Sequence, residues 1–174
     1  MAGGLSRTEL VWLFAHELGV EFDDLDRFDG RKKFQKLLYL LQSHPFKKDF
    51  GFRYNLYVRG PYSPDLAASG YRVLEDRPHF EQVCRNYSLR DEPLHTIRRL
   101  RDAFQSGGQW DPDFLELCAT VHYLYHKTYS YLSQPDRWDR VRAKTQELKP
   151  RLATKFSEAV DALARAGMVD GEDR

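Results

Sequence analysis

One segment restricts the fold of this chain more than any other, because it alternates like a β-strand and then starts a helix within a few residues. Between residues 50 and 57, apolar and polar side chains alternate with the period of two that is typical of a half-buried strand. Ser63 is a favourable N-cap and Pro64 suits the first helical position. The residues between them, Arg59 to Tyr62, are predicted to break the strand and form a turn.

The remaining patterns predict helices. Ser6 and Glu9 form the S-x-x-E capping box, and Asp29 is a candidate N-cap for a second helix that continues to residue 44. Apolar residues recur at helical spacing there and throughout the second half, whereas residues 77–92 are ambiguous. We therefore predict a mainly α-helical α+β fold of about six or seven helices, with a small antiparallel β element in the first half. The order helix, helix, strand is also compatible with a winged-helix variant.

Length and composition suit one folded domain. The chain has 174 residues, of which 41% are hydrophobic and 30% charged, and a chain of this size can bury a large core. We expect a single domain over residues 1–174, with an ordered core over about residues 5–168 and a short polar C-terminal tail. The formal net charge is only +1, whereas dedicated nucleic-acid-binding proteins usually have a strongly basic balance.

Cysteine usage and hydropathy indicate the compartment. Cys84 and Cys118 are far apart and match neither zinc spacing nor a CxxC motif. The N-terminus lacks an apolar signal region, and no run of about 18 apolar residues occurs. We expect a cytoplasmic protein that is neither secreted nor membrane-spanning.

Signatures of catalysis are weak. The chain has no nucleotide-binding glycine loop and no nucleophile elbow. His122 and His126 have the spacing of a metal-ligating pair, but Tyr123 stands where a zincin needs Glu and no third ligand follows. The alternative is that His122 borders the core and His126 caps a helix or faces solvent. We predict a protein that is not an enzyme and needs no cofactor, with this pair only a weak metal candidate.

Basic and aromatic residues supply the stronger candidates for a binding site. Arg31, Lys32 and Lys33 are expected at the start of the second helix, where the helix dipole disfavours cations. The preceding acidic residues could compensate them, or a negatively charged partner could. Tyrosine and arginine are enriched at binding hot spots. The predicted partner- or nucleic-acid-binding residues are Arg31, Lys32, Lys33, Lys36, Tyr57, Arg59 and Tyr62.

Two motifs suggest a family. The segment GRKKFQKLLYLL at residues 30–41, followed by a strand and by GPYS at residues 60–63, resembles the YwgA-like uncharacterised proteins. Residues 115–124 and 148–150 are also similar, so that the resemblance covers about residues 5–167. More distantly, K-x-Q-K-L-L-Y and G-P resemble the SocA-like, or Panacea, antitoxin domain. That family usually has a Trp shortly before its Gly-Pro, where this chain has RYNLYVR.

The resemblance has a modest functional implication. YwgA-like proteins have no assigned activity, whereas SocA-like domains act as antitoxins or proteolytic adaptors that bind a protein. We therefore expect a non-enzymatic interaction module, antitoxin-like or regulatory, whose partner is a toxin or another regulated protein. The alternative is a winged-helix-like transcriptional regulator that binds DNA through the same basic helix.

Overall fold

A computed structural model describes residues 4–171, and within that range it contains nine α-helices and a two-stranded antiparallel sheet. The mainly α-helical α+β class is therefore confirmed. The helices are α1 (Arg7–Glu17), α2 (Phe22–Asp26), α3 (Phe28–Gln42), α4 (Pro64–Glu75), α5 (Arg77–Asn86), α6 (Asp91–Phe104), α7 (Pro112–Tyr123), α8 (Asp136–Leu148) and α9 (Phe156–Arg165), and the strands are β1 (Asn55–Tyr57) and β2 (Gly60–Tyr62). A π-helical turn (Leu124–Thr128) extends α7, and a 3-10 turn (Ala153–Lys155) precedes α9. The last three residues of the expected polar tail lie outside the described residues.

The predicted helix starts are confirmed where capping chemistry is strong. The Ser6 backbone N–H donates to Glu9 Oε2 at 2.7 Å, and the Glu9 N–H donates back to Ser6 Oγ at 3.3 Å. Ser63 Oγ accepts a hydrogen bond from the Leu66 N–H at 3.4 Å, with Pro64 in the first helical position. Each cap satisfies backbone donors that the first turn of a helix leaves unpaired.

The second helix of the prediction, α3, begins at Phe28 instead of after Asp29, so the predicted N-cap is wrong by a few residues. Asp29 lies inside the first turn, where its charge suits the helix dipole. The N-cap is Arg27, whose backbone is extended and whose side chain makes no capping hydrogen bond. Helix α3 also passes very close to α2, since a Cβ at Gly30 would lie 2.1 Å from the Asp24 carbonyl oxygen. Arg31, Lys32 and Lys33 consequently lie deeper in the helix than their predicted place at its start.

The β element is a hairpin whose turn differs from the predicted one. Gly60–Tyr62 is the second strand, paired with Asn55–Tyr57 so that Leu56 lies opposite Pro61, and the chain reverses at Val58 and Arg59. The prediction of a break at Gly60 to Tyr62 was wrong. Upstream, Phe52 remains buried but its backbone bonds to the Gln42 side chain at 2.6 and 3.2 Å, so the strand is shorter than its alternation indicated.

Helices α3 and α7 lie against each other at the centre of the hydrophobic core, and β2 and α9 also contact α7. Both central helices bury residues on nearly every side, including Leu37, Leu41, Leu117 and Val121. The ambiguous residues 77–92 form α5, capped by Asp76, and the start of α6. This arrangement places the hairpin over one end of the α3–α7 pair.

Candidate functional site

The two motifs of the first half are joined to each other by hydrogen bonds. Gln35 Nε2 donates to the Ser63 carbonyl oxygen at 2.9 Å, and the Ser63 N–H donates to Gln35 Oε1 at 3.0 Å. Lys36 Nζ donates to the Pro61 carbonyl oxygen at 2.7 Å. All of these groups are buried, where an unpaired polar group would be costly. Much of the motif therefore attaches the hairpin to α3.

Gly60 allows the hairpin to approach α7 closely. Its φ of +82° lies in the left-handed region, and a Cβ there would stand 2.8 Å from Thr120 Oγ1. The Thr120 hydroxyl is already committed, because it donates to the Glu116 carbonyl oxygen at 2.7 Å. Glycine is thus required at this position by both backbone conformation and space.

A buried lysine–glutamate cluster lies beneath the hairpin; we define it as Lys32, Lys36, Glu116 and Lys149. Glu116 is only 1% exposed, and its carboxylate is 2.5 Å from Lys149 Nζ and 3.3 Å from Lys32 Nζ. Lys149 also donates to the Val58 carbonyl oxygen, and Lys32 donates to Asp113. The cluster therefore holds the second strand of the hairpin through Lys36 and its turn through Lys149.

The surroundings of the cluster shift the pKa values of Lys32 and Lys36 in opposite directions. Desolvation, helped by the charges of Lys149 and Lys32, lowers the pKa of Lys36 to about 7 despite the attraction of Glu116. Desolvation also opposes a charge on Lys32, but the hydrogen bond to Asp113 and the charge of Glu116 outweigh it and raise the pKa of Lys32. Near neutral pH, Lys32 is charged and Lys36 is divided between its two protonation states.

These contacts correct the expectation of an exposed basic face on α3. Lys32 and Lys36 are buried, and Lys33 Nζ pairs with Asp24 at 2.7 Å, so the acidic stretch does compensate it. Arg31 is partly buried and donates to the Leu25 carbonyl oxygen at 3.1 Å. The amphipathic stems of these residues pack while their charges are satisfied within the fold.

The structure nevertheless brings the predicted site residues together. A groove of about 380 Å³ opens between the hairpin, α3 and α4, and we call it the hairpin groove. Lys33 does not line it, but the other predicted residues do: Arg31, Lys32, Lys36, Tyr57, Arg59 and Tyr62. The remaining lining is mostly apolar and comprises Leu25, Phe28, Phe34, Gln35, Val58, Gly60, Ala67, Gly70, Tyr71 and Leu74.

Large apolar side chains are concentrated on this groove. Among the described residues, eight large hydrophobic side chains are exposed, and five of them line the groove: Phe28, Tyr57, Val58, Tyr62 and Tyr71. Tyr57 and Tyr62 meet edge to face at 5.5 Å between ring centroids, and the Arg59 guanidinium lies 5.5 Å from the Phe28 ring centroid. Clustered exposure of this kind marks interaction surfaces, whereas single exposed apolar residues are ordinary.

Sequence reasoning missed Phe28, Val58 and Tyr71. Val58 is 85% exposed, at the tip of the hairpin. Phe28 lies within an acidic stretch and Tyr71 lies beside Gly70 on α4, which packs against Phe34. The available signal was a large apolar residue in a polar neighbourhood, but the register of the hairpin was needed to show that the three face one groove.

The histidine pair lies elsewhere, on α7 and its π-helical turn. The two rings are 4.5 Å apart, but His122 Nδ1 is 2.7 Å from the Tyr39 hydroxyl and His126 Nε2 donates to the Met168 carbonyl oxygen at 2.6 Å. Within residues 4–171, no group of three or more His, Cys, Asp or Glu side chains is placed to hold a metal ion.

Comparisons with known proteins found no matching family model, no matching curated protein and no matching solved structure. The resemblance to YwgA-like and SocA-like proteins therefore stays a prediction. Across the described part of the chain, no helix combines the length and apolar character that crossing a membrane demands.

Proposed function

We propose that this protein is a non-enzymatic interaction module, antitoxin-like or regulatory, that binds a protein partner in the hairpin groove. The observation that carries the proposal is the gathering of five exposed large apolar side chains around one groove. The distant SocA-like resemblance implies such a role, whereas the YwgA-like resemblance implies no activity. The proposed setting is a reducing cytoplasm, which suits the free thiols of Cys84 and Cys118.

The charges of the groove define the partner segment. Arg31 and Arg59 line the groove, and neither forms an ion pair with a carboxylate of the described residues. The interior is apolar and takes a large aliphatic or aromatic side chain. We infer a partner segment that places such a side chain in the groove and an Asp or Glu beside Arg59. Charge pairing at the rim would set register and association rate more than affinity.

Photocrosslinking tests this surface directly. A crosslinking amino acid at Val58 should capture one dominant protein from the native host, because Val58 is exposed at the groove. The same amino acid at Tyr131, which is also highly exposed but lies outside the groove, is the matched control and should not capture it. Arg59→Glu and Tyr71→Ser should each weaken capture by about tenfold or more. Equal capture at both positions, or capture unaffected by both substitutions, contradicts the proposal.

The alternative of winged-helix-like DNA binding is less well supported, because it relied on Lys32 and Lys36 reaching phosphates and both amines are buried. DNA binding and binding of a protein partner differ in how strongly the affinity depends on salt concentration. Binding to DNA phosphates should weaken steeply as salt rises, whereas binding to an apolar groove should not. A mobility shift of duplex DNA at low salt that Arg59→Glu abolishes would favour the regulator over the protein partner.

A further inference from the structure

A second cavity, separate from the hairpin groove, lies between α3, α7 and the segment that leads into β1. Its volume is about 730 Å³, and it shares no lining residue with the groove. Tyr39, Tyr54 and His122 form its interior, and we call it the tyrosine–histidine cavity. The π-helical turn places His126 and Lys127 at its edge. Such turns occur often at functional sites.

His122 presents a buried hydrogen-bond donor to this cavity. The Tyr39 hydroxyl lies 2.7 Å from His122 Nδ1. Burial raises the pKa of Tyr39, so the hydroxyl keeps its proton, and we assign it as the donor to Nδ1. Burial and the nearby charges of His126, Lys127 and His44 lower the pKa of His122 to about 3. With Tyr39 as the donor to Nδ1, the neutral ring carries its proton on Nε2. His122 Nε2 has no hydrogen-bond partner among the described residues.

The Tyr54 hydroxyl is a second buried hydrogen-bond donor in this cavity. Its ring meets the edge of Tyr39 at 5.1 Å between centroids, and its buried hydroxyl has no partner in the described chain. Among the described residues, six buried side-chain polar atoms lack a hydrogen-bond partner; one of them, Glu116 Oε2, has an ion pair with Lys32, and two others belong to this cavity. Since most buried polar groups in folded proteins are hydrogen-bonded, two unpaired donors beside Tyr39 indicate an acceptor that the chain itself does not supply.

The charge of the lining has one sign. Lys47, Arg53 and Lys127 line the cavity and none forms an ion pair within the described residues, while no Asp or Glu contributes to the lining. Several unpaired cations around a concave site attract an anion and raise its local concentration. The volume falls within the range of roughly 300–1,000 Å³ that is common for small-molecule sites.

We propose that the tyrosine–histidine cavity binds a small planar organic anion, with an oxygen acceptor facing His122 Nε2 and the Tyr54 hydroxyl and a carboxylate or phosphate facing Lys47, Arg53 and Lys127. The planar body packs against the tyrosine rings, which favour offset and edge-to-face contacts. The proposal rests on atoms of this cavity alone, so it is independent of any partner in the hairpin groove.

Two probes of this chemistry distinguish the source of the anion. Uridine 5′-monophosphate combines a planar ring bearing carbonyl oxygens with a phosphate, and terephthalate combines a benzene ring with a carboxylate at each end. Calorimetric titration of the full chain should detect binding of at least one probe. Uridine and benzamide, which lack the anionic group, should bind at least tenfold more weakly. Preference for the nucleotide identifies a phosphate ligand, and preference for terephthalate identifies a carboxylate.

Substitutions then locate the site. Tyr54→Phe should weaken binding about 5- to 10-fold by removing one hydrogen bond, and the double change Lys47→Gln with Lys127→Gln should weaken it further at low salt. Tyr57→Phe removes a hydroxyl from the hairpin groove and should leave binding unchanged. Thermal melting checks that each variant folds. Failure of both probes at millimolar concentration, or binding that survives Tyr54→Phe and the lysine changes, overturns the proposal.

Discussion

The hairpin groove and the tyrosine–histidine cavity use buried polar groups in opposite ways. Beneath the groove, the side-chain donors of Lys36 and Lys149 reach backbone carbonyls of the hairpin, and that of Gln35 reaches the carbonyl of Ser63 directly after it. Inside the cavity, the donors of Tyr54 and His122 reach no acceptor of the described chain. Satisfied polar groups explain the shape of the groove, and unsatisfied ones indicate what the cavity could hold. The first-half motif residues that look functional in sequence are thus mainly structural, whereas the cavity contains His122 and His126, whose spacing in the sequence indicated only a weak metal candidate.

The largest expected effect comes from breaking the lysine–glutamate cluster. Glu116→Ala leaves Lys32 and Lys149 buried without their shared carboxylate, and removing one partner of a buried ion pair costs about 3–5 kcal/mol. Urea denaturation should record that fall in the free energy of unfolding. Glu147→Ala is the matched control, since Glu147 pairs with Lys144 at the surface and should cost less than about 1 kcal/mol. Similar losses in the two variants would show that the cluster contributes little.

Substitution of Gly60 should have the next largest effect, and it tests how closely the hairpin approaches α7. Gly60→Ala should cost about 2–3 kcal/mol, because the left-handed conformation disfavours Ala and the new Cβ meets Thr120 Oγ1. Gly19→Ala isolates the conformational part: φ there is +80°, but no atom lies within 4 Å of the new Cβ, so about 1 kcal/mol is expected. Equal losses at the two glycines in urea denaturation would refute the close approach of hairpin and α7.

These glycines also show what sequence could and could not predict. Local signals were sufficient for the fold class and for two capped helix starts, because Ser6 and Ser63 act on backbone groups within a few residues. We predicted the hairpin turn at the wrong residues. The need for glycine at position 60 comes from its close approach to Thr120, which is far away in sequence. Local propensity carries no information about such a contact.

The candidate site divides in the same way. Residue type selected Tyr57, Arg59 and Tyr62 correctly as neighbours on one groove, because adjacent positions of a hairpin stay together in any register near the true one. The positive charges of Lys32 and Lys36 suggested exposed side chains, but both lysines are paired inside the fold. Lys32 pairs with Glu116 and Asp113, and Lys36 donates to the Pro61 carbonyl oxygen. The sequence around a lysine does not show whether a carboxylate far away along the chain will pair with it in the interior of the fold.

The lowered pKa of Lys36 predicts that the free energy of unfolding changes with pH by about 1 kcal/mol. Its pKa in the folded chain is about 7, below the value of 10.5 for an exposed lysine, so the unfolded chain binds more protons between those values. The free energy of unfolding should therefore rise with pH, by about 1 kcal/mol from pH 7 to pH 8. Urea denaturation at the two pH values measures the rise, and Lys36→Met should remove it. A rise that persists in Lys36→Met would assign it to other groups.

The smallest effect tests the cavity in the absence of any ligand. Tyr54→Phe removes a buried hydroxyl that has no partner, so the variant should gain up to about 1 kcal/mol in the free energy of unfolding. Tyr39→Phe, one ring away, should instead lose about 1 kcal/mol, because its hydroxyl is the partner of His122 Nδ1. Thermal and urea denaturation of the two variants compare two neighbouring tyrosines, of which Tyr39 is buried and Tyr54 partly buried with a buried hydroxyl. A loss of stability in Tyr54→Phe would mean that its hydroxyl is satisfied within the folded chain, and the contrast between groove and cavity would then disappear. Opposite signs would show that the unpaired Tyr54 hydroxyl lowers the stability of the free protein, a cost that ligand binding in the cavity would offset.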